Sequence, residues 1–536
     1  MHITATIRRT LSVGARSATA ASGISGDGWN QEQAVTLRNQ SVSMFYRCPL
    51  ALAGPLLLVM VSATYADERF SFATVKQMAE RLAAAPHTPP RRAADAFLKL
   101  DYDKYRLIAA RHENALWRDD KLPFWVEFFA AGFIYEYPCE ISTVDAAGKV
   151  TSLQAGPQWF QYRGDAAALA ATPDGGFSGF RLLTQFAKQN EKTEFLVFRG
   201  ASYFRGRGAN QVYGASARGL AIDIGLPSPE EFPRFTKLWI EQPAPDAKAA
   251  RVYALLDGPA VSGAYQFTIV PGDELDMDVE ADVWFRHAVQ KIGIAPLTSM
   301  WMWEGKSAPT NDHRPEVHDS DGLLIHANTD EWTWRPLSRP VKPQVSTWPV
   351  EELRGFGLMQ RDRQADHYRD NEAKYDQRPS LWVTPANDWG RGHVELLELP
   401  SDGEGIDNIG AYWVPNEPAT AGSHRSLRYR LTFGDGPRDS RPSLLVADTN
   451  VEAVGDVVSY ELAFSGAHHT SAKLMPNVST DAGHVENIQV HATEDGRTKL
   501  RFNFRPPSNG QARLQAQLGA PDKPVSEKWS YLWTPK

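Results

Sequence analysis

Apolar and polar residues alternate over long stretches of this chain. Leu275, Met277, Val279, Ala281, Val283 and Phe285 alternate with polar residues, and Tyr265, Phe267 and Ile269 do the same just upstream. A period of two sends successive side chains to opposite faces of a strand. The apolar run 252–256 reads as a further strand, and Gly, Pro and Asp punctuate the chain at short intervals. Long strands with one polar face predict large antiparallel sheets packed as a sandwich. Helical spacing is confined to the start. Val75, Met78, Ala79 and Leu82 recur at i, i+3, i+4 and i+7, with Ser71 or Thr74 as the cap and Pro89-Pro90 closing the region. Shorter helical patches are predicted over 93–100 and 102–110.

The pattern simplifies beyond a stretch rich in Pro, Gly and small residues at 414–424, which reads as a linker. After it, Leu427, Tyr429, Leu431 and Phe433 alternate, then Val458 to Phe464, then Ile488 to Ala492. A turn at Asp495-Gly496 leads to Leu500, Phe502 and Phe504, and Ala512 to Leu518 follow. Several short strands in succession predict a small immunoglobulin-like sandwich over 425–536, without the cysteine pair of antibody domains. The larger domain then spans 67–413. Residues 1–66 read differently. Arg47 precedes an apolar run at 49–61, and Thr64-Tyr65-Ala66 offers a small-residue cleavage site. This order predicts a secretory signal that starts at Met44 and is cleaved after Ala66, with a run too short to span a bilayer. A buried strand at 49–61 is the alternative. The mature protein is expected to be exported and not membrane-spanning.

Composition narrows the chemistry. The 536 residues are 42% hydrophobic, ample for a large core, and the net charge of -7 is spread without long runs of one sign. No basic face stands out, which argues against a nucleic-acid partner. Cys48 and Cys139 lie in no metal-ligand spacing, and removal of Cys48 with the signal leaves no disulfide framework. With no His-Glu-x-x-His motif and no Cys/His cluster, no metal and no cofactor is expected. Gly206-x-Gly208 lacks the third glycine of a nucleotide loop, and 213–223 contains no Gly-x-Ser-x-Gly elbow.

Acidic residues are packed among tryptophans and arginines in two blocks. The first is Arg314-Pro315-Glu316-Val317-His318-Asp319-Ser320-Asp321-Gly322, followed by Glu331-Trp332-Thr333-Trp334-Arg335. The second is Glu404-Gly405-Ile406-Asp407-Asn408-Ile409, followed by Tyr412-Trp413. Carboxylates accept from sugar hydroxyls, indoles cover sugar C–H faces, and glycosidic cleavage needs two placed carboxyl groups. Nine of the sixteen tryptophans lie between Trp284 and Trp413. A single Trp is more often core than site, whereas the cluster reads as a binding cleft. Asp319 sits in a turn-prone Asp-Ser-Asp-Gly, where a plain turn is the other reading. The full ligand spacing of a calcium loop is missing there. Asp407 precedes an apolar segment whose burial would shift its pKa, and an exposed loop acid is the other reading for it and for Glu404. Arg314, Arg335 and Arg378 each precede Pro, which extends the residue before it and aims its side chain. Ordinary surface ion pairs remain the alternative for all three.

At these residues the chain resembles the osmoregulated periplasmic glucan biosynthesis family, proteins G and D. The likeness runs from about Phe70 to Trp533. It is carried by 200–204, 213–223, 230–235, 253–257, 263–267, 295–300, 314–323, 331–337, 355–360, 378–385 and 407–413. Ile325-His326-Ala327 and Ala411-Tyr412-Trp413 are more similar to protein G. The resemblance implies an all-β protein with few helices. It would comprise a large N-terminal galactose-mutarotase-like β-sandwich and a smaller C-terminal immunoglobulin-like β-sandwich. It also implies a periplasmic protein needed for β-1,2-linked glucans, with some members similar to inverting endo-β-1,2-glucanases. The family's catalytic aspartates match Asp319 and Asp407, with Glu404 as the accompanying acid, although 401–405 departs from the commoner wording. On this reading Asp319 is the acid and Asp407 the base. Arg314, His318, Trp332, Trp334, Arg335, Tyr375, Arg378 and Trp382 are the expected contacts to a β-glucan oligosaccharide or polysaccharide. The rival expectation is a non-catalytic glucan-binding scaffold assisting a membrane glucosyltransferase.

Overall fold

The computed structural model describes residues 69–535 except 174, 329, 467–473, 494–496 and 521–522. The expected signal segment, Cys48 and the Asp495-Gly496 turn lie outside the described residues. The Ser71 N–H donates to Thr74 Oγ1 at 3.2 Å and opens helix Phe72–Ala83. The apolar stripe of that helix buries Val75 and Ala79 against Trp239, Tyr253 and Ala264. Two four-residue helices follow, Asp95–Leu98 and Tyr102–Tyr105. The second is shorter than its pattern suggests. Ile108–Ala110 is a strand, because Phe160–Tyr162 offers its backbone an antiparallel partner. Among the described residues no helix is long and apolar enough to cross a membrane.

Two large, mainly antiparallel sheets face each other across one core. The ten-stranded sheet runs from Phe124–Ala130 through Phe177–Thr184, Thr193–Arg199, Tyr203–Gly206 and Ser216–Arg218 to Ile292–Ser299, Ile409–Pro415, Gly392–Glu398 and Gln344–Val350. Phe128, Phe180, Leu196, Phe204 and Leu297 point from it into the core. They meet Phe267, Met277, Val279, Leu431 and Phe433 of the fifteen-stranded sheet. The long alternating strands Val261–Pro271 and Leu275–Phe285 form a hairpin there over their whole length.

One strand sits where the sequence reading did not put it. His424–Gly434 lies between Leu275–Phe285 and Ser380–Pro385, inside the large sandwich. Residues 414–424 are therefore no boundary between sandwiches, and the chain leaves the large one after Gly434. Alternation alone assigns no sheet, but the register does. Arg430 donates to Asp278 at 2.7 Å and Thr432 to Asp276 at 2.8 Å on the polar face, while Leu427, Tyr429, Leu431 and Phe433 enter the core.

The C-terminal unit is joined to the large sandwich as well as packed on it. Its four-stranded sheet has the order Leu445–Val454, Val457–Ser465, Thr498–Arg505, His484–Ala492. Its other strands extend the fifteen-stranded sheet, with Thr333 and Trp334 pairing in parallel with Lys528 and Trp529. Strands Gly322–Ala327, Glu331–Pro336, Leu353–Met359 and Ser380–Pro385 are consequently buried on both faces. Leu323, Ile325, Phe356 and Leu381 face the sandwich core, whereas Leu324, Trp332, Trp334, Met359 and Trp382 face Tyr460, Phe502, Leu514 and Trp529. Glycines bed the large rings. A Cβ at Gly322 would lie 2.4 Å from the Trp334 ring, and one at Gly355 would lie 2.4 Å from Trp382. Arg361 crosses the same seam. Its backbone N–H donates to Asp321, and its guanidinium donates to Val446 O at 2.9 Å and to Glu527 Oε1 at 2.6 Å.

Candidate functional site

Core-facing alternation leaves a polar row on the outer face of the ten-stranded sheet. Glu127, Arg181, Val197 and Arg205 are successive cross-strand neighbours. Arg205 Nε donates to Ser216 Oγ at 2.9 Å, and Ser216 pairs with Thr298. The row ends at Asp407. Its Oδ2 accepts from Thr298 Oγ1 at 3.0 Å and lies 3.9 Å from Arg205 Nη2. Asn408 fixes the loop, accepting from the Trp301 N–H at 2.8 Å and donating to the carbonyls of Trp301 and Leu399. Asp407 is 4% exposed. Burial pushes its carboxyl above the usual range against the opposing pull of Arg205, and the charge of Asp319 adds to the push.

Asp319 reaches the same neighbourhood from the start of the large-sheet strand Gly322–Ala327. Its N–H donates to Met300 O at 2.8 Å, Ser320 Oγ meets Ser299 Oγ at 2.9 Å, and the Asp321 N–H donates to Met359 O at 2.7 Å. Asp319 is 3% exposed and ion-paired with Arg378. The Arg378 guanidinium lies 4.2 Å above the Tyr375 ring and donates to Ala373 O at 3.1 Å. Tyr375 Oη donates to Glu404 Oε2 at 2.7 Å. Arg314 closes the group by donating to Glu404 Oε1 at 2.6 Å, Asp312 Oδ2 at 2.7 Å and Asp370 Oδ2 at 3.0 Å. Burial alone would raise the Glu404 carboxyl, but the bonds from Arg314 and Tyr375 hold it below the usual range. Asp319, Arg378, Tyr375, Glu404 and Arg314 thus form one contiguous group, and Asp407 stands outside its bonds but within the reach of the Asp319 charge.

The other candidates lie elsewhere. Trp332, Trp334 and Trp382 are 2–4% exposed and packed in the seam with the C-terminal unit, which leaves little ring surface for a sugar; of the three, Trp334 borders a recess. The physical reason is two-sided burial. Strand Glu331–Pro336 turns Trp332 and Trp334 toward the C-terminal sheets, and Trp382 stacks beside Trp332 at 5.9 Å. Arg335 is buried against Glu398 at 2.9 Å and is structural. His318 is fully buried, with Nδ1 3.1 Å from Gln360 Oε1 and Nε2 3.4 Å from Glu316. Burial opposes its charge, but Glu316, Asp321 and Glu304 outweigh burial and raise it to about 9. It braces the Asp319 loop from the far side.

One trio among the described residues, Glu316, Asp362 and His367, brings three donor atoms within 4.8 Å of one another. His367 is already ion-paired with Asp362, and Asp362 Oδ1 accepts from the Gln364 N–H, so metal-free bonding accounts for two of the three. A recess of about 1590 Å³ lies against this trio and the C-terminal unit. Asp321 lines it, but Asp319 and Asp407 do not.

The sequence reading does not single out Arg205, Ser216 or Thr298, which bind Asp407 into the sheet. Their signal is the polar half of the alternation: Arg205 between Phe204 and Gly206, and Thr298 between Leu297 and Ser299.

Comparison with known proteins gives the chain its relatives. The model of the family described as "Periplasmic glucan biosynthesis protein, MdoG" matches residues 70–533. Glucans biosynthesis protein G of Rhodopseudomonas palustris is 41% identical, covering 87% of this chain and 93% of that protein. Glucans biosynthesis protein D 1 of Ralstonia nicotianae is 40% identical over 88% of this chain and 93% of its own. A probable glucans biosynthesis protein D of Shewanella oneidensis is 38% identical over 88% and 89%. With one such match across nearly all the described residues and three full-length relatives beside it, the chain belongs to the periplasmic glucan biosynthesis protein family, MdoG.

Proposed function

We propose that this protein acts in the periplasm on a β-1,2-linked glucan backbone, as an inverting endo-hydrolase or remodelling enzyme. Asp407 serves as general acid and Asp319 as general base. The observation that carries this reading is the buried Asp407 carboxyl at the end of the polar row. A carboxyl held protonated by burial protonates the leaving glycosidic oxygen, and an ionised partner activates water on the opposite face of the ring. The surroundings favour the reverse of the order expected from sequence. Asp407 has the raised carboxyl, whereas Asp319 has the fixed counter-charge of Arg378. Arg314 and Tyr375 keep Glu404 charged, which suits it to orient the Arg378 side of the site rather than to donate a proton.

The test is incubation of the chain from Asp67 onward with linear β-1,2-glucan, followed by chromatography and optical rotation, beside Asp319→Asn and Asp407→Asn. Shorter glucans of inverted anomeric configuration from the wild type alone are the expected result. Intact glucan binding with no product from the wild type would establish the second reading, a glucan-binding scaffold assisting a membrane glucosyltransferase. The relatives' names favour that second reading to this extent: they speak of biosynthesis.

A further inference from the structure

The outer face of the ten-stranded sheet contains a recess of about 290 Å³, near the lower end of the range for small-molecule sites. Phe129 and Tyr135 supply aromatic wall, and Arg205 connects the recess to Asp407. We propose that this recess is a subsite for one glycosyl unit of a neutral glucan, held through its hydroxyls by Tyr203 and Tyr213. The proposal rests on the reading of Asp407 as the acid of a glucan-acting site and adds to it where the chain is gripped.

Two buried oxygens carry the argument. Tyr203 and Tyr213 both line the recess, and neither hydroxyl has a hydrogen-bond partner among the described residues. Tyr203 is 8% exposed. A buried hydroxyl without a partner costs roughly 1–3 kcal/mol. Tyr429 and Tyr460 also bury an unpartnered hydroxyl, but neither lines the recess, whereas Tyr265 donates to Gly219 O at 3.0 Å and Tyr375 to Glu404 at 2.7 Å. Burial pushes the Tyr203 phenol up to about 12, so it keeps its proton and remains a donor at any physiological pH.

The charges in the recess select the ligand class. Arg181 is ion-paired with both Glu127 and Glu194. Arg199 lies 3.8 Å over the Tyr135 ring and donates to Tyr105 and Ser178. Arg205 donates to Ser216. These guanidinium groups already have partners, so the recess does not call for an anion. Its unmet demand is for neutral groups that both donate and accept, beside an aromatic wall, which is the chemistry of a sugar ring.

The experiment is titration calorimetry of Tyr203→Phe and Tyr213→Phe with linear β-1,2-gluco-oligosaccharides of increasing length, beside thermal melts and turnover. Each substitution should weaken binding by roughly 3- to 10-fold, the value of one hydrogen bond. The loss should appear only for oligosaccharides long enough to reach the recess. The melting temperature should stay level or rise, because an unpartnered hydroxyl is removed, and KM should rise with kcat kept. Wild-type affinity in both variants, a loss independent of length, or a loss tracking a lowered melting temperature would overturn the subsite while leaving the glucan reading intact. Displacement of the oligosaccharide by inorganic sulfate would also overturn it, in favour of an anion site. A wild type that binds no β-1,2-glucan would overturn both.

Discussion

Arg205 and Arg335 each stand beside a buried acid, one at the end of the polar row and one near the tryptophan seam. Arg335 meets Glu398 at 2.9 Å with both side chains sealed from solvent, and Glu398 also accepts from the Ser338 N–H and Oγ. Arg205 stays 3.9 Å from Asp407 and is 28% exposed. The seam pair is in direct contact and supported by further donors. The row leaves Asp407 with one hydroxyl donor, a loose cation and a neighbouring negative charge. Residue type alone does not separate a site from a core here. The separation comes from whether the second face of the sheet is covered.

The largest effect expected is on turnover. Asp407→Asn and Asp319→Asn should each lower glucan cleavage by about 10²–10⁴-fold, the usual worth of one proton-transfer group, with oligosaccharide binding retained by calorimetry. Cleavage surviving in either variant would erase the contrast between the two regions.

The seam should respond oppositely. Arg335→Ala strands Glu398 without its counter-charge and should cost about 3–5 kcal/mol in urea unfolding. Trp382→Ala should cost a similar ~3–5 kcal/mol by emptying the bed above Gly355. Neither should change glucan affinity in the protein that remains folded. A weaker affinity there would return these residues to the binding surface.

Acidity separates the regions more finely. Because the folded Asp407 carboxyl is raised above its unfolded value, folding is penalised once pH exceeds the ordinary aspartate range, and the penalty is absent when the group is protonated in both states. Asp407→Asn should therefore raise the melting temperature at neutral pH and lose that advantage as pH falls below the ordinary aspartate range. The same group predicts an alkaline fall in kcat/KM as Asp407 gives up its proton, and a profile lacking that limb would contradict its role as acid. The smallest effect is expected at Tyr375→Phe, about 1 kcal/mol in a double-mutant cycle with Glu404→Gln, since one hydrogen bond is shared between them.

Much of the fold was legible because alternation is a direct imprint of a half-buried sheet. Val261–Pro271 and Leu275–Phe285 emerge as long paired strands, and the stripe from Val75 to Leu82 emerges as helix Phe72–Ala83. His424–Gly434 was assigned to the wrong sandwich because its apolar half, Leu427 to Phe433, reads identically in either; Asp276 and Asp278 across from Thr432 and Arg430 decide it, and only the register shows them. Asp319, Asp407, Glu404, Arg314, Tyr375 and Arg378 were legible as a group, by their acid-and-arginine wording and by family resemblance. Trp332, Trp334 and Trp382 carried the same wording and went to the seam, since a tryptophan that packs and one that stacks look alike in sequence. Arg205, Ser216 and Thr298 stayed silent because the polar half of an alternating strand resembles ordinary surface.

Arg361 spans the molecule like a tie rod. Its backbone holds Asp321, two residues from Asp319, while its guanidinium is bolted to Glu527 and Val446 across the seam. With a shared sheet alongside it, the C-terminal unit has no joint on which to swing. A load applied to that unit is delivered to the Asp319 loop, and the two sandwiches should melt in one transition. A chain cut after Gly434 would lose the anchor of this rod and bare the tryptophan face to water, so the smaller unit is no detachable accessory.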